Sequence, residues 1–234
     1  AVAGRMAVGL AHEIKNPLAG IKATVEVLSA ELDLEPDDRE LFERIVDEVE
    51  RMERLLKNLL KFARPPQPQL ELVDLGQLLD YTLKNLQVTG IKSSPLDIAL
   101  RRDFDQQPVQ IKADSSQLQQ VLLNLYLNAI EAFEQDGEIT TRTRVDSDKG
   151  RVIIEIEDNG PGIPPGLIDN IFTPFFTTKS RGTGLGLPIC QRLIEQHDGT
   201  IHVFSEQGHG TRFVITLPLI QQPQQQEHKG EEHE

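Results

Sequence analysis

Residues 12–17 read His-Glu-Ile-Lys-Asn-Pro, and the imidazole of His12 is a nucleophile able to take up a phosphoryl group. Apolar side chains recur around it at Ala3, Ala7, Leu10 and Ile14, then at Leu18, Ile21, Val25, Leu28 and Leu32, in steps of three and four. Such a seam predicts a helix packed in a coiled-coil-like bundle. At about 100° per residue, His12 then lies roughly 200° from both Leu10 and Ile14, so it points to solvent. Pro17 lacks an N–H and pushes against the carbonyl of Glu13, which costs about 3 kcal/mol inside a helix and bends it one turn after His12. The seam also slips there, because Leu10, Ile14 and Leu18 are spaced four apart twice in succession.

A second group of residues has the chemistry of a nucleotide site. Asn124 and Asn128 are four apart in an apolar helical stretch and share one face. An amide oxygen such as that of Asn128 can ligate a phosphate-bridging Mg2+ while leaving water positions open. Asp158-Asn-Gly160-Pro-Gly162 follows an apolar strand. An aspartate at that strand end can accept a hydrogen bond from an exocyclic amine such as adenine N6, with the glycines admitting the ring close to backbone. Phe172, Phe175 and Phe176 crowd the next loop and are expected to form a lid hinge, with Lys179 and Arg181 adding positive charge beyond them. Gly182-Thr-Gly184-Leu185-Gly186 then opens a helix whose free N–H groups and dipole suit phosphate oxygens. No Gly-Lys-Ser/Thr follows, so this is not a Walker loop, and the spacing is not that of a dinucleotide fold. Gly208-His-Gly210-Thr211 completes the set before the last strand. Together with His12, the constellation points to phosphoryl transfer from ATP.

The elements that must position these residues fall into two domains and a tail. A second seam at Leu41, Ile45, Val49, Met52, Leu56, Leu59 and Ala63 predicts a helix capped by Asp37 or Asp38. The two helices form a hairpin over residues 1–67, and because one apolar stripe per helix makes a poor core, a second copy is expected to complete a dimeric four-helix bundle. Arg64-Pro-Pro-Gln-Pro68 ends the hairpin in a stiff extended linker. Residues 68–220 then alternate between types: helix at 75–86, strands near 97–104 and 109–113, helix at 115–133, strands near 138–145 and 151–157, helix at 185–195, and strands at 200–205 and 212–218. One mixed sheet against helices follows, an α/β sandwich. Residues 221–234 are polar and charged, which predicts a disordered tail, with His228 and His233 as solvated residues rather than a metal site.

Composition narrows the function further. The chain has 234 residues and a net charge of −13, so it lacks the clustered basic surface that binding to nucleic acid requires. Its single cysteine, Cys190, cannot form an internal bridge and falls in an apolar helical stretch, as a small buried hydrophobe in a reducing cytoplasm would. No run approaches the roughly 18 apolar residues of a membrane span and no signal peptide opens the chain, so no membrane contact is expected within it. The seam already runs at residue 1, so an upstream extension carrying any sensor or membrane segment is expected.

Over residues 1 to about 220 the chain resembles the sensor histidine kinases of two-component systems. His-Glu-Ile-Lys-Asn-Pro is similar to their phosphoacceptor motif, and Asn124/Asn128, Asp158–Gly162, Phe172–Phe176 and Gly182–Gly186 are similar to the four boxes of their ATP-binding domain. The phosphoacceptor run and Pro174-Phe-Phe-Thr-Thr-Lys179 most resemble the nitrogen-regulation subgroup. Asp198 departs from the pattern at a usual glycine, which bears on a turn and not on these motifs. The resemblance implies a GHKL (Bergerat-type) ATP-binding fold. It also implies ATP–Mg2+ bound by Asn124, Asn128, Asp158, Gly160, Gly162, Lys179, Gly182, Gly184, Leu185, Gly186 and Thr211, with Asn128 on the metal.

By the same resemblance His12 is phosphorylated, with Glu13 taking the proton from its other ring nitrogen, and the phosphate passes to an aspartate of a response regulator receiver domain. Asn16, one turn beyond His12 on the same side, either positions a water for dephosphorylation of that regulator or caps backbone freed by Pro17. Two rival readings exist. Conformational ATPases of the gyrase and Hsp90 type share the Asp-x-Gly-x-Gly fold, but place a glutamate base where this chain has Asn124 and have no His12 hairpin. A dimeric scaffold with a degenerate nucleotide site conflicts with the intact motif set. A zinc-protease reading fails because Asn16 stands where the second histidine would be.

Overall fold

The computed structural model describes residues 2–32, 35–63, 65–89, 91, 96–105, 108–179 and 182–220, with the backbone alone given for 2–13, 88 and 89. The expected tail and its histidines lie outside these residues. Helix α1 (Val2–Glu31) runs unbroken through Pro17, and helix α2 (Pro36–Ala63) packs beside it. Pro36, not an aspartate, starts α2. Its preset φ and missing N–H suit a first helical position, so Asp37 and Asp38 lie within the first turn and favour the helix dipole there instead of capping it.

Within the hairpin, Leu18 and Val49 are buried and Lys22 Nζ donates to Glu50 Oε1 at 2.6 Å. Much of the rest of the described seams is not covered by one copy of the chain: Ile14, Ile21, Leu28, Leu41, Ile45 and Met52 are all exposed. Among the described residues, no helix is long and apolar enough to cross a membrane.

Beyond the hairpin come β1 (Glu71–Asp74), α3 (Leu75–Thr89), β2 (Ile98–Asp103), β3 (Gln110–Ala113), α4 (Ser115–Ala132), β4 (Gly137–Asp146), β5 (Arg151–Asp158), α5 (Pro165–Ile168), α6 (Gly186–Glu195), β6 (Thr200–Glu206) and β7 (Gly210–Pro218). The main sheet has five strands in the order β2-β4-β5-β7-β6, parallel only between β2 and β4. The segment at 109–113 does not join it. β3 instead pairs antiparallel with β1, a four-residue strand too short to show alternation in the sequence. The single turn α5 also carries no helical period.

Strand alternation puts Val152, Ile154, Ile156 and Asp158 on the inner face of β5, and the register sets Ile154 beside Ile215, Ile156 beside Phe213 and Asp158 beside Thr211. Helices α3, α4 and α6 cover this face; Leu118, Val121, Leu122, Leu125 and Tyr126 of α4 are all buried. Asp198 holds a left-handed conformation, φ 55°, which an aspartate tolerates better than most side chains, so the turn forms without the expected glycine.

Asp114 ties the layers together. Its Oδ1 accepts the N–H groups of Ser116 and Gln117, each at 3.0 Å, and so caps α4; Oδ2 accepts the N–H of Gln69 from the Pro-rich segment at 2.9 Å. Its own N–H donates to Nε2 of buried His197 at 3.0 Å, while the other ring nitrogen of His197 lies 2.7 Å from Leu193 O, near the end of α6. Burial alone would push the Asp114 carboxyl up, but the hydrogen bonds from Gln69, Ser116 and Gln117 outweigh it and hold it below the usual aspartate value.

Loss of the cap in Asp114→Ala costs about 1–2 kcal/mol, which lowers Tm by roughly 2–8 °C in a scan at neutral pH. Because the folded carboxyl titrates below its unfolded value, this stabilisation is complete above the usual aspartate range. The gap between variant and wild type closes as acid protonates Asp114; a gap that persists undiminished in acid contradicts the assignment.

Candidate functional site

A cleft of about 800 Å3 opens between α4, the end of β5, the 171–179 and 182–184 segments and the start of α6, a size that suits a nucleotide. Asn124 and Asn128 both line it, half-buried, as one face of α4 requires. The Asn124 amide is held from behind, where Nδ2 lies 3.2 Å from Cys190 Sγ. In front it lies against Gly186, where a Cβ would come within 2.8 Å of Oδ1. Any side chain at 186 would displace this amide. Cys190 itself is buried and its thiol is pushed up to about 12 by desolvation, so it is a packing group and not a reactive one.

Asp158 is 6% exposed and faces the cleft. Its Oδ1 accepts the N–H of Gly160 at 3.0 Å and of Thr211 at 3.2 Å. Among the described residues no donor reaches Oδ2, which is therefore left for a ligand. Burial pushes the carboxyl above the usual aspartate value, against the two N–H bonds that favour its charge. The turn after β5 interlocks with the β6–β7 turn: Gly162 has φ 69° and a Cβ there would sit 2.1 Å from Glu206 O, while Gly208 N–H donates to Pro161 O at 2.7 Å. Only glycine fits at 162. Asn159 pairs with Glu138 through both its backbone N–H and its side chain, which fixes the turn instead of contacting the cleft.

Helix α6 starts with Leu185 as its cap residue and no side-chain cap bond, so its first N–H groups remain available to an anion. Gly182 and Gly184 line the cleft, as do Gly162, Gly186, Lys179 and Thr211. Gly160 and Leu185 do not. The first orients Asp158, and the second is fully buried and anchors the loop in the core.

The three expected lid phenylalanines divide. Phe172 and Phe176 pack against the core, and Phe176 lines the cleft. Phe175 is 60% exposed with φ 67°, an unusual conformation for a bulky residue, and its N–H donates to Gly184 O at 2.9 Å. Lys179 reaches back to α4, where its Nζ lies 2.6 Å from Glu131 Oε2 and 3.4 Å from Asn128 Oδ1. Arg181 lies outside the described residues.

On the hairpin, His12 and Glu13 fall within α1, and their side chains are outside the described residues. Asn16 is exposed on the same helix. Arg54 and Asn58 of α2 also line the cleft, and neither carries a sequence signal that separates it from an ordinary solvated helix face. The two halves meet where Arg192 of α6 donates to Phe62 O at 2.7 Å and Lys61 Nζ donates to Gln120 Oε1 at 2.9 Å.

The residues present fit a nucleotide with its metal. The cleft offers a bare buried acceptor, an uncapped helix start, an amide oxygen on Asn128 and a cation in Lys179. Among the described residues no cluster of three or more His, Cys, Asp or Glu could cage a metal alone, which suits an ion held largely by phosphates.

Comparison with known proteins agrees with this geometry. Residues 3–68 match the His Kinase A (phospho-acceptor) domain family, and residues 113–221 match the family of histidine kinase-, DNA gyrase B- and HSP90-like ATPases. Sensor histidine kinase ZraS of Salmonella typhi is 41% identical over 221 residues, 94% of this chain and 47% of that protein. The chain thus spans about half the length of the curated relatives it matches. Full-length ShkA, solved in complex with AMPPNP, superposes with a TM-score of 0.76 at 26% identity over 92% of this chain and 46% of that one. Histidine kinase ThkA, solved with response regulator protein TrrA, gives 0.67 at 28% identity over 94% and 62%. A phosphoacceptor hairpin followed by a GHKL-type ATP-binding domain, with relatives of this kind along nearly its whole length, makes the chain a member of the sensor histidine kinase family.

Proposed function

We propose that the chain binds ATP with Mg2+ in the cleft, transfers the γ-phosphoryl group to His12, and then passes it to an aspartate of a response regulator receiver domain. The observation that carries this reading is Asp158: a buried carboxylate with one oxygen held by two backbone N–H groups and the other bare, facing the Asn124–Asn128 face of α4. A rigid single acceptor of this kind selects an amine such as adenine N6, and the cost of burying it is repaid only when a donor arrives. Bound MgATP supplies the phosphoryl group and the metal charge that shields it.

The rest is positioning by the chain. Asn128 holds the metal by its amide oxygen, Lys179 and the first N–H groups of α6 receive phosphate oxygens, and Thr211 supports Asp158. A ring nitrogen of His12 attacks phosphorus, ADP leaves, and Glu13 takes the proton from the second ring nitrogen. Asn16 is assigned to the reverse activity, orienting a water toward the regulator's acyl phosphate. The exposed seams of α1 and α2 are covered by a second copy, giving a homodimeric four-helix bundle. Residues 1–67 form the dimerisation and phosphoacceptor domain, and residues 68–220 the ATP-binding domain.

Incubation with γ-labelled ATP tests the reading directly: the label on the chain should be acid-labile and base-stable, as phosphohistidine is, and should vanish in His12→Gln while nucleotide binding persists. Base-stable label on that variant, or steady ATP hydrolysis with no label on wild type, contradicts it. Asp158→Asn loses the amine acceptor, which weakens ATP binding roughly ten- to hundredfold by calorimetry. The asparagine keeps both N–H bonds and removes a buried charge whose pKa the fold raises; such a charge costs stability once pH rises above the unfolded aspartate range. At neutral pH the nucleotide-free variant should therefore melt no lower than wild type. Asn16→Ala should retain autophosphorylation and lose dephosphorylation of the regulator, whereas a helix-capping role would damage both equally.

A further inference from the structure

The ion pair between Lys179 and Glu131 has no part in the steps above. Lys179 belongs to a loop folded on itself, with its N–H bonded to Thr177 Oγ1 at 3.1 Å and its carbonyl accepting the Gly182 N–H at 3.1 Å. From that turn the side chain, part of the cleft lining, reaches α4. There it meets Glu131 at 2.6 Å and the Asn128 amide oxygen at 3.4 Å. Glu131 stands three residues after Asn128, one turn further along the same helix face. Among the described residues Lys179 is its only cationic partner.

The position of the ammonium is the informative part. Its nearest neutral acceptor among the described residues is the oxygen assigned above to the metal, and an ammonium and a metal ion on one oxygen repel each other strongly. Seating a nucleotide with its metal therefore requires Lys179 to leave Asn128, and the incoming phosphates are the anion to which it can move. We infer that Glu131 is a positioning residue that acts through Lys179: it holds the lysine across the metal position in the nucleotide-free chain and releases it to phosphate when the nucleotide binds. This inference rests on the reading of the cleft as an ATP site. Because breaking the pair opposes nucleotide entry, Glu131 weakens resting affinity for ATP while keeping the loop against α4.

Two measurements test it. Calorimetry with MgATP should show Glu131→Gln binding about two- to fivefold more tightly than wild type, the size expected of a partly exposed ion pair. Removing a negative charge near phosphates could by itself tighten binding, so the same change is made in Lys179→Met. The gain should shrink to less than half there if the pair is responsible, and an equal or larger gain in that background overturns the inference. Limited trypsin digestion of the nucleotide-free protein should cut the Lys179–Ser180 bond about two- to fivefold faster in Glu131→Gln, with thermal melting used to check that the variant is folded. Weaker ATP binding in Glu131→Gln, or an unchanged cleavage rate, also overturns it. A wild-type chain that binds no ATP defeats the nucleotide reading itself, a result distinguishable from either of these.

Discussion

The N-cap of α4 is the constraint on which the remaining geometry depends. One carboxylate, that of Asp114, accepts N–H groups from the start of α4 and from Gln69 before β1, and the residue's own amide donates to His197 at the end of α6. A helix start leaves several N–H groups without partners, and a buried start must satisfy them or lose stability. Satisfying them with an aspartate that has a second oxygen lets the same group fix the chain that arrives from the hairpin. The imidazole of His197, bonded through both ring nitrogens, then ties the start of α4 to the end of α6. Both helices contribute walls of the cleft, so bonds made at the N-terminal end of α4 fix two of its sides relative to each other.

Along α4 the two faces do different work. Val121, Leu122, Leu125 and Tyr126 fill the core over the sheet, while Asn124, Asn128 and Glu131 face the cleft. The close approach of α6 allows no side chain at Gly186, and the Asn124 amide fills that space. Strand alternation does the equivalent on the sheet. The period that buries Ile154 and Ile156 carries Asp158 inward as well, so a charge enters the core edge by the same rule that places hydrophobes there. Its two N–H bonds do not offset the burial. Stability is lower there than an apolar residue would give.

The hairpin contributes little core of its own. Leu18 and Val49 are buried between its helices, while most of the described seam residues stay exposed in one copy. Its links to the second half are few: the Phe62 ring near the end of α2 packs against the core, the Phe62 carbonyl accepts from Arg192, and the guanidinium lies 5.9 Å from the ring centroid. A few such contacts hold less firmly than a packed apolar interface. Arg54 and Asn58 enter the cleft wall from α2, which places the hairpin beside the loops that line the cleft.

The sequence by itself determined the elements whose residues repeat with a clear period, namely both long helices, α4, α6 and the longer strands, because burial imposes a period of about 3.6 or 2 on local side chains. Most of the residues that line the cleft were legible there too, since the Asn pair, the aspartate at the end of β5 and the glycine runs are local patterns with local physical reasons. Only the tertiary structure decided which separated pieces meet. β1 pairs with β3 instead of extending the sheet, the lid phenylalanines split between core and solvent, and Asp37 and Asp38 yield the helix start to Pro36. Lys179 finds Glu131 across 48 residues and Asp114 finds His197 across 83. Periodicity reports which side of an element is buried, but the partner on that side is chosen by the cooperative packing of the whole core, and no local pattern records it.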